Sequence, residues 1–343
     1  IVQTQEFLES IVSNLKKEIL NIDDIFSKTS QKLVLIPTQI DKFSSSIDKL
    51  SNFETSQKDT TLKLQGETQK VPVRLPECNG NRCPEFSIDR LQTNQVFVDQ
   101  QIDQAILQNL ERMLDIGKLK QDIRAEKDKQ SAISEVATSA SDVVTNVTPV
   151  QQMAIEIKPY ITAFSGLDKE LKTLGASSQI TLSISPKILN AEGALVTVVL
   201  NTSSYMGGAH GSSSQTYYNF DLKTQKLVAL NDLVQSGQKV QLEKLAYEAF
   251  KKWVTDSQLS TNLEEYEQVW KFKLSDNYYL GKNGLILQYG EYEIGPYVAG
   301  LPRLEIPYTQ LNKVLKKEYL PENVNTDQQK AASTVMPNKD KSE

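Results

Sequence analysis

The sequence predicts an α+β fold: a mainly antiparallel sheet with packed helices, plus an N-terminal helical segment. Short runs alternating apolar and polar residues cluster around turn-forming stretches, as half-buried strands in hairpins do. Longer runs with apolar residues every three or four positions separate those clusters and read as amphipathic helices. Strands grouped by hairpins, with helices between the groups, favour α+β over a doubly wound parallel sheet. With 343 residues, 39% hydrophobic and 24% charged, the chain can bury a sizeable core and is long enough for two domains.

The elements come in this order. Phe7, Leu8, Ile11, Leu15, Ile19, Ile22 and Phe26 line one helical face. After Pro37, the residues Ile40, Phe43, Ile47 and Leu50 resume the period, so 1–58 reads as a helical stalk or hairpin. The stretch 59–200 reads as the first half of an α+β domain, with strands at 61–65, at 71–75 and around Phe86 and Ile88. A helix continues through Val98, Ile102, Ile106, Leu110 and Met113. Residues 117–175 read as a helical insertion, closed by Gly175. Ile180 to Ile184 and Leu195 to Leu200 form strands around the turn Asn190 to Gly193. In the second half, 201–320, Tyr218 to Leu222 and Leu227 to Leu230 flank a turn, with helices near 240–253 and 263–270. Gly281-Lys282-Asn283-Gly284 marks another hairpin. A strand near Leu304 to Ile306 precedes a helix over 309–318, and 321–343 reads as a disordered tail.

Composition narrows the function. Net charge is −5 and the Lys and Arg residues are scattered, which argues against a nucleic-acid partner and weakly favours a basic one. No run of ~18 apolar residues exists to span a bilayer. Ile1 to Phe7 lacks the features of an export signal, so an exported chain would have lost its signal before this numbering begins. The two cysteines, Cys78 and Cys83, bracket an Asn-Gly turn that brings them close. A disulfide in an oxidising compartment, free thiols, and part of a metal site are all open, although two Cys and one His fall short of a zinc set. No cofactor motif is found.

Two loops carry signal. Tyr205-Met206-Gly207-Gly208-Ala209-His210-Gly211 surrounds the only histidine with glycines, whose backbone adopts positive φ freely. Tyr292-Glu293-Ile294-Gly295-Pro296-Tyr297-Val298-Ala299-Gly300 is the other. With Tyr218 to Lys226, Leu230 to Leu233 and Ile306-Pro307-Tyr308, they resemble the RsiV-like family over roughly 200–315. Residues 1–60 and the insertion have no counterpart there. The resemblance implies an exported recognition domain, periplasmic or at the cell surface, with a lipoprotein among the forms it could take. In the family's name-giving member, the outer part of an anti-sigma factor, this domain binds lysozyme, and related copies accompany peptidoglycan deacetylases. Here no transmembrane or sigma-binding part is expected, and Gln225 stands where the family hairpin commonly carries Gly.

His210 has three readings: a general base served by Ser203, Ser204 or Ser212 to Ser214, a structural hydrogen bond to backbone, or a ligand contact. No Gly-x-Ser-x-Gly elbow and no phosphate loop accompanies it. Asp221, Asp232, Glu291, Glu293 and Glu305 form no recognisable carboxylate pair, and no catalytic residue is assigned. Tyr292, Pro296 and Tyr297 either fix their loop to the sheet or present a recognition surface. The reading is therefore a binding module without chemistry, using Tyr205, Gly207, Gly208, His210, Tyr292, Pro296 and Tyr297. A lysozyme-like hydrolase is the candidate partner, and a peptidoglycan-binding or peptidoglycan-modifying accessory is the alternative. The reading requires the two loops to meet as one exposed, preformed patch.

Overall fold

The structure is a computed structural model that describes residues 62–115 and 147–322. The chain divides between Thr61 and Leu62 into two units, and the described residues belong to the second. The helices expected over 1–58, the part of the insertion at 116–146 and the tail from 323 lie outside the described residues.

Six strands form the larger sheet in chain order: β1 (Gly66–Lys70), β2 (Glu85–Thr93), β3 (Thr181–Asn190), β4 (Val196–Tyr205), β5 (Ser212–Asp221) and β6 (Lys226–Leu227). All neighbours are antiparallel except β2 and β3. A parallel pair needs a long crossover. Among the described residues the crossover contains three helices, α1 (Val96–Leu114), α2 (Pro149–Glu156) and α3 (Lys158–Thr173). On α1, Val98, Ile102, Ala105, Ile106 and Leu110 are buried at the predicted spacing. The α2 start is fixed by a capping box between Thr148 and Gln151 with Pro149 in the first turn, worth about 1 kcal/mol. These helices cover Phe86, Ile88, Leu182, Ile184, Val196, Val198, Leu200 and Phe220, and together they make the first core.

Two sequence readings give way here. Apolar alternation predicts strands at 61–65 and 71–75, but 62–65 and 71–75 are not strand, and β1 lies between them. Leu64 and Val71 are buried as anchors on either side of a polar edge strand, so the alternation marks the anchors and misses the strand. The helix expected over 309–318 is one turn, α7 (Tyr308–Leu311). Beyond it the backbone turns to meet Leu233, Val234 and Gln235, with Lys316 N–H donating to the Leu233 carbonyl and Gln235 N–H to that of Val314.

The second core gathers around α5 (Lys239–Asp256), where Leu242, Ala246, Phe250 and Val254 recur every fourth residue and are fully buried. Beside it lie α4 (Leu230–Leu233), α6 (Leu263–Val269) and a three-stranded antiparallel sheet, β7 (Tyr278–Leu280), β8 (Gly284–Gln288) and β9 (Arg303–Pro307). Gly284 is required there, because a Cβ would overlap the Ile306 carbonyl. Four buried tyrosines tie loops to this core through their hydroxyls. Tyr266 donates to the Ile294 carbonyl, Tyr278 to Val228, Tyr289 to Lys273 and Tyr308 to Gly281, all at 2.7–2.8 Å.

Asparagine side chains join the two sheets. The outer edge of β5 has backbone groups that no strand pairs, and the Asn277 carboxamide takes that place. Its Oδ1 accepts the Tyr217 N–H at 2.8 Å and its Nδ2 donates to the Gln215 carbonyl at 2.7 Å. Asn219, 1% exposed, donates to the Tyr278 carbonyl and accepts from the Thr197 hydroxyl. An amide presents one donor and one acceptor with the spacing of a peptide, so it satisfies a strand edge without adding a strand.

Two outcomes are expected. Asn277→Ala leaves the Tyr217 N–H and Gln215 carbonyl without partners and should lower stability by about 2–3 kcal/mol in urea denaturation. Burial pushes the Tyr266 and Tyr308 hydroxyls up to about 12 and those of Tyr278 and Tyr289 upward as well. An unfolded tyrosine ionises near ~10, so below that pH both states keep the proton and stability is unaffected. Above it the unfolded chain loses protons first, and stability should fall from about pH 10 through 12. Circular dichroism against pH, alongside the ultraviolet absorbance of tyrosinate, reads this directly.

Candidate functional site

The candidate site lies where the β4–β5 turn meets the long β8–β9 connection. Strand β4 ends at Tyr205 and β5 begins at Ser212, so Met206 to Gly211 form the turn. Gly207 has φ +89°, and a Cβ there would press into the Leu171 side chain on α3. The Tyr205 hydroxyl donates to the Gly208 carbonyl at 2.9 Å and pins the turn from inside. Gly208 and His210 are exposed.

The other connection is closed at its base and folded from within. The buried Gln288 side chain donates to the carbonyls of Tyr289 and Pro302, and Tyr289 N–H also reaches Pro302. The Glu293 carboxylate accepts the Gly290 N–H, while Ile294 is fully buried with its carbonyl held by Tyr266. Gly295 packs so closely against Trp253 and the Tyr266 hydroxyl that a side chain would not fit. Pro296 then starts a short 3-10 turn, Tyr297–Ala299.

The two loops meet. His210 stacks on the Tyr297 ring with centroids 3.8 Å apart, and its Nε2 lies 2.9 Å from the Tyr292 hydroxyl. Its Nδ1 lies 3.0 Å from the Gly211 carbonyl. A carbonyl only accepts, so in the neutral ring Nδ1 carries the proton and Nε2 accepts from Tyr292 O–H. The Tyr297 hydroxyl donates to the same Gly211 carbonyl at 3.1 Å. Beneath, Glu291 clasps the start of β5, accepting from the Ser212 hydroxyl and from both the N–H and hydroxyl of Ser213. Tyr292 has φ +62°, a left-handed backbone that is costly for a residue with a bulky side chain, of order 1–3 kcal/mol. Its ring is held between Tyr297 at 5.7 Å and Trp270 at 6.4 Å.

Of the residues singled out in the sequence, His210, Tyr292 and Tyr297 form one contact set. Pro296 shapes the turn beside them, and Tyr205, Gly207 and Gly208 shape the histidine turn. Ser212 and Ser213 face Glu291 rather than the imidazole, so neither is poised as its nucleophile. Asp221 and Asp232 serve the backbone. Asp221 accepts from Lys223 and Thr224 N–H, and Asp232 from Ala229 N–H. Cys78 and Cys83 form a disulfide. Sequence reasoning misses Trp270 and Glu291 as a clasp, and does not single out Val298, 86% exposed, within the tyrosine loop. Trp270 reads as a helix-face residue, and only the density of aromatics near Tyr292 hints at it.

The contact between the loops is testable in solution. A double-mutant cycle of His210→Ala and Tyr297→Ala, read by urea denaturation, should give a coupling of about 0.5–1.5 kcal/mol. Additive single effects would mean that the rings do not touch.

The family model described as "Protein of unknown function (DUF3298)" matches residues 231–309. The match includes the tyrosine loop and begins after the histidine turn. No curated protein matches the chain. Two solved crystal structures are similar. A DUF3298 family protein from Pseudomonas aeruginosa PAO1 is 20% identical, with a TM-score of 0.49 over 77% of this chain and 98% of that one. A DUF3298 family member from Bacteroides fragilis NCTC 9343 is 17% identical, with a TM-score of 0.50 over 76% and 96%. The Bacteroides likeness, at that identity, is one of fold. Residues 231–309 thus match the DUF3298 model, a family of unknown function, and both of these similar structures are of DUF3298 family proteins.

Proposed function

We propose that this chain is an extracytoplasmic recognition module that docks a protein on the face formed by His210, Tyr292, Tyr297, Trp270 and Val298. The observation that carries the reading is an apolar and aromatic surface that is exposed yet already rigid. Val298 is 86% and Tyr292 50% exposed, while hydrogen bonds and ring stacking fix the rings around His210. Large rigid side chains lose little entropy on binding, and such preorganised anchors dominate protein interfaces. The strained Tyr292 backbone supports it too, since strain is tolerated where surrounding structure enforces a useful geometry.

The resemblance to the RsiV-like family supplies the partner class: lysozyme, or a similar basic cell-wall hydrolase. The net charge of −5 would assist its approach. Export to the periplasm or cell surface is supported by the Cys78–Cys83 disulfide, because such bonds persist in oxidising compartments. Peptidoglycan is the competing ligand, and intact sacculi serve as the control.

Calorimetric titration with c-type lysozyme at low salt should show saturable binding. Val298→Asp should weaken it at least about 30-fold, the effect of losing a ~2 kcal/mol hot spot, without lowering the melting temperature. No heat with wild-type protein, or equal affinity in the variant, would retire this surface as the lysozyme site. Binding to sacculi alone would favour the competing ligand.

A further inference from the structure

A second site lies on the solvent face of the larger sheet, next to the aromatic face but separate from it. A groove of about 390 Å³ runs there over β3, β4 and β5 toward Leu301 and Arg303. That volume falls in the range of small-molecule sites, roughly 300–1,000 Å³. Cross-strand register builds its floor from two rows. Ser183, Ser203 and Ser213 form one, and Ser185, Asn201 and Gln215 the other, two residues along each strand and so on the same face.

The floor is chemically unusual for a sheet face. Every one of these side chains is a short hydroxyl or an amide, with no apolar or charged residue between them. Several donors and acceptors are free to bind. The hydroxyls of Ser183 and Ser203 and the Asn201 amide N–H groups make no hydrogen bond among the described residues, and Asn201 Oδ1 is taken by Gln215.

Arg303 closes one end. Its Nε donates to the Oε1 of the fully buried Gln288 at 2.8 Å, and its Nη2 donates to Gln215 Oε1 and the Tyr217 hydroxyl. These acceptors are neutral, and among the described residues no carboxylate pairs with Arg303. The guanidinium is thus fixed in direction while its charge stays uncompensated, which suits a carboxylate. At the opposite end Asp89 accepts from the Ser185 hydroxyl at 3.0 Å. The groove is therefore hydroxyl-lined, with Arg303 beside Gln215, the carboxylates Asp89 and Glu291 at its rim held by Ser185 and Ser213, and Leu301 as an apolar wall.

We propose that this groove binds a saccharide unit bearing a carboxylate, the acid group on Arg303 and the ring hydroxyls on the serine and asparagine rows. Many closely spaced neutral donors and acceptors match a polyhydroxylated ring, and a single oriented guanidinium selects the acidic one. The site stands whether or not the aromatic face docks a protein.

The test uses the whole chain, titrated by calorimetry and by amide shifts in NMR. N-acetylmuramic acid and N-acetylglucosamine serve as probes because they differ only by the lactyl ether on O3 that carries the carboxylate; acetate is the simple-anion control. The acidic sugar should bind at least about tenfold more tightly than the neutral one, the effect of one charge-assisted pair. Arg303→Gln should erase that preference. Ser203→Leu, which fills the groove floor without touching Arg303, should abolish binding of both sugars with the melting temperature retained. Equal binding of the two sugars overturns the proposal, as does acetate binding as tightly as the acidic sugar, or binding that survives both variants. Val298→Asp should leave saccharide affinity unchanged, so failure of this site and failure of the docking face are separable.

Discussion

The carboxamides of Asn277 and Asn219 hold the two halves of this unit together. Were the outer edge of β5 left bare, its backbone groups would seek another strand, and the small sheet would have no fixed position against the large one. Asn277 ends that freedom by standing in for a peptide, with Ser275 accepting its own N–H. Because β7 and β8 form a hairpin, fixing Asn277 fixes the start of the connection that leaves β8. The histidine turn enters β5 at Ser212, three residues before Gln215. Asn277 thus helps set the separation of two loops that no sequence neighbourhood connects.

Tyrosine hydroxyls do for the second core what apolar packing does for the first. In the first core the helices cover the sheet with Val, Ile, Leu and Phe. The second core is crossed by loops, each bringing backbone carbonyls that need partners. A tyrosine fills volume like phenylalanine and carries a donor at its far end, so it packs and satisfies at once. Tyr266 is the instance that reaches the site, since the carbonyl it holds belongs to Ile294 in the middle of the tyrosine loop. The disulfide, by contrast, sits in an exposed loop between β1 and β2, remote in sequence from both recognition loops.

The parts of this arrangement that local chemistry encodes are legible in the sequence. The α1 face comes directly from its apolar period, and the α+β class holds. Both loops announce themselves by glycine and aromatic density. Strand β1 does not, because Gly66 to Lys70 is held by backbone pairing with β2 and buries almost nothing. The shortening of α7 is hidden for a related reason. Leu311, Val314 and Leu315 keep helical spacing, yet the backbone there is claimed by the chain around Val234. Nor can sequence show that Glu291 grips Ser212 and Ser213, or that Trp270 backs Tyr292. Those contacts depend on how the sheets are joined, and so on Asn277.

The geometry around His210 also bears on where this protein can be cut. The imidazole comes from one end of the larger sheet, while its ring partners lie more than eighty residues further along. A fragment trimmed to the span matched by the family model, 231–309, would keep both aromatic partners and lose the imidazole, the Gly211 carbonyl and the strand that Asn277 grips. What remained would have Tyr292 in a left-handed turn without the imidazole that accepts its hydroxyl. The surface is a discontinuous epitope: it exists only when the whole unit has folded. An antibody raised against either loop as a free peptide would be recognising a different shape.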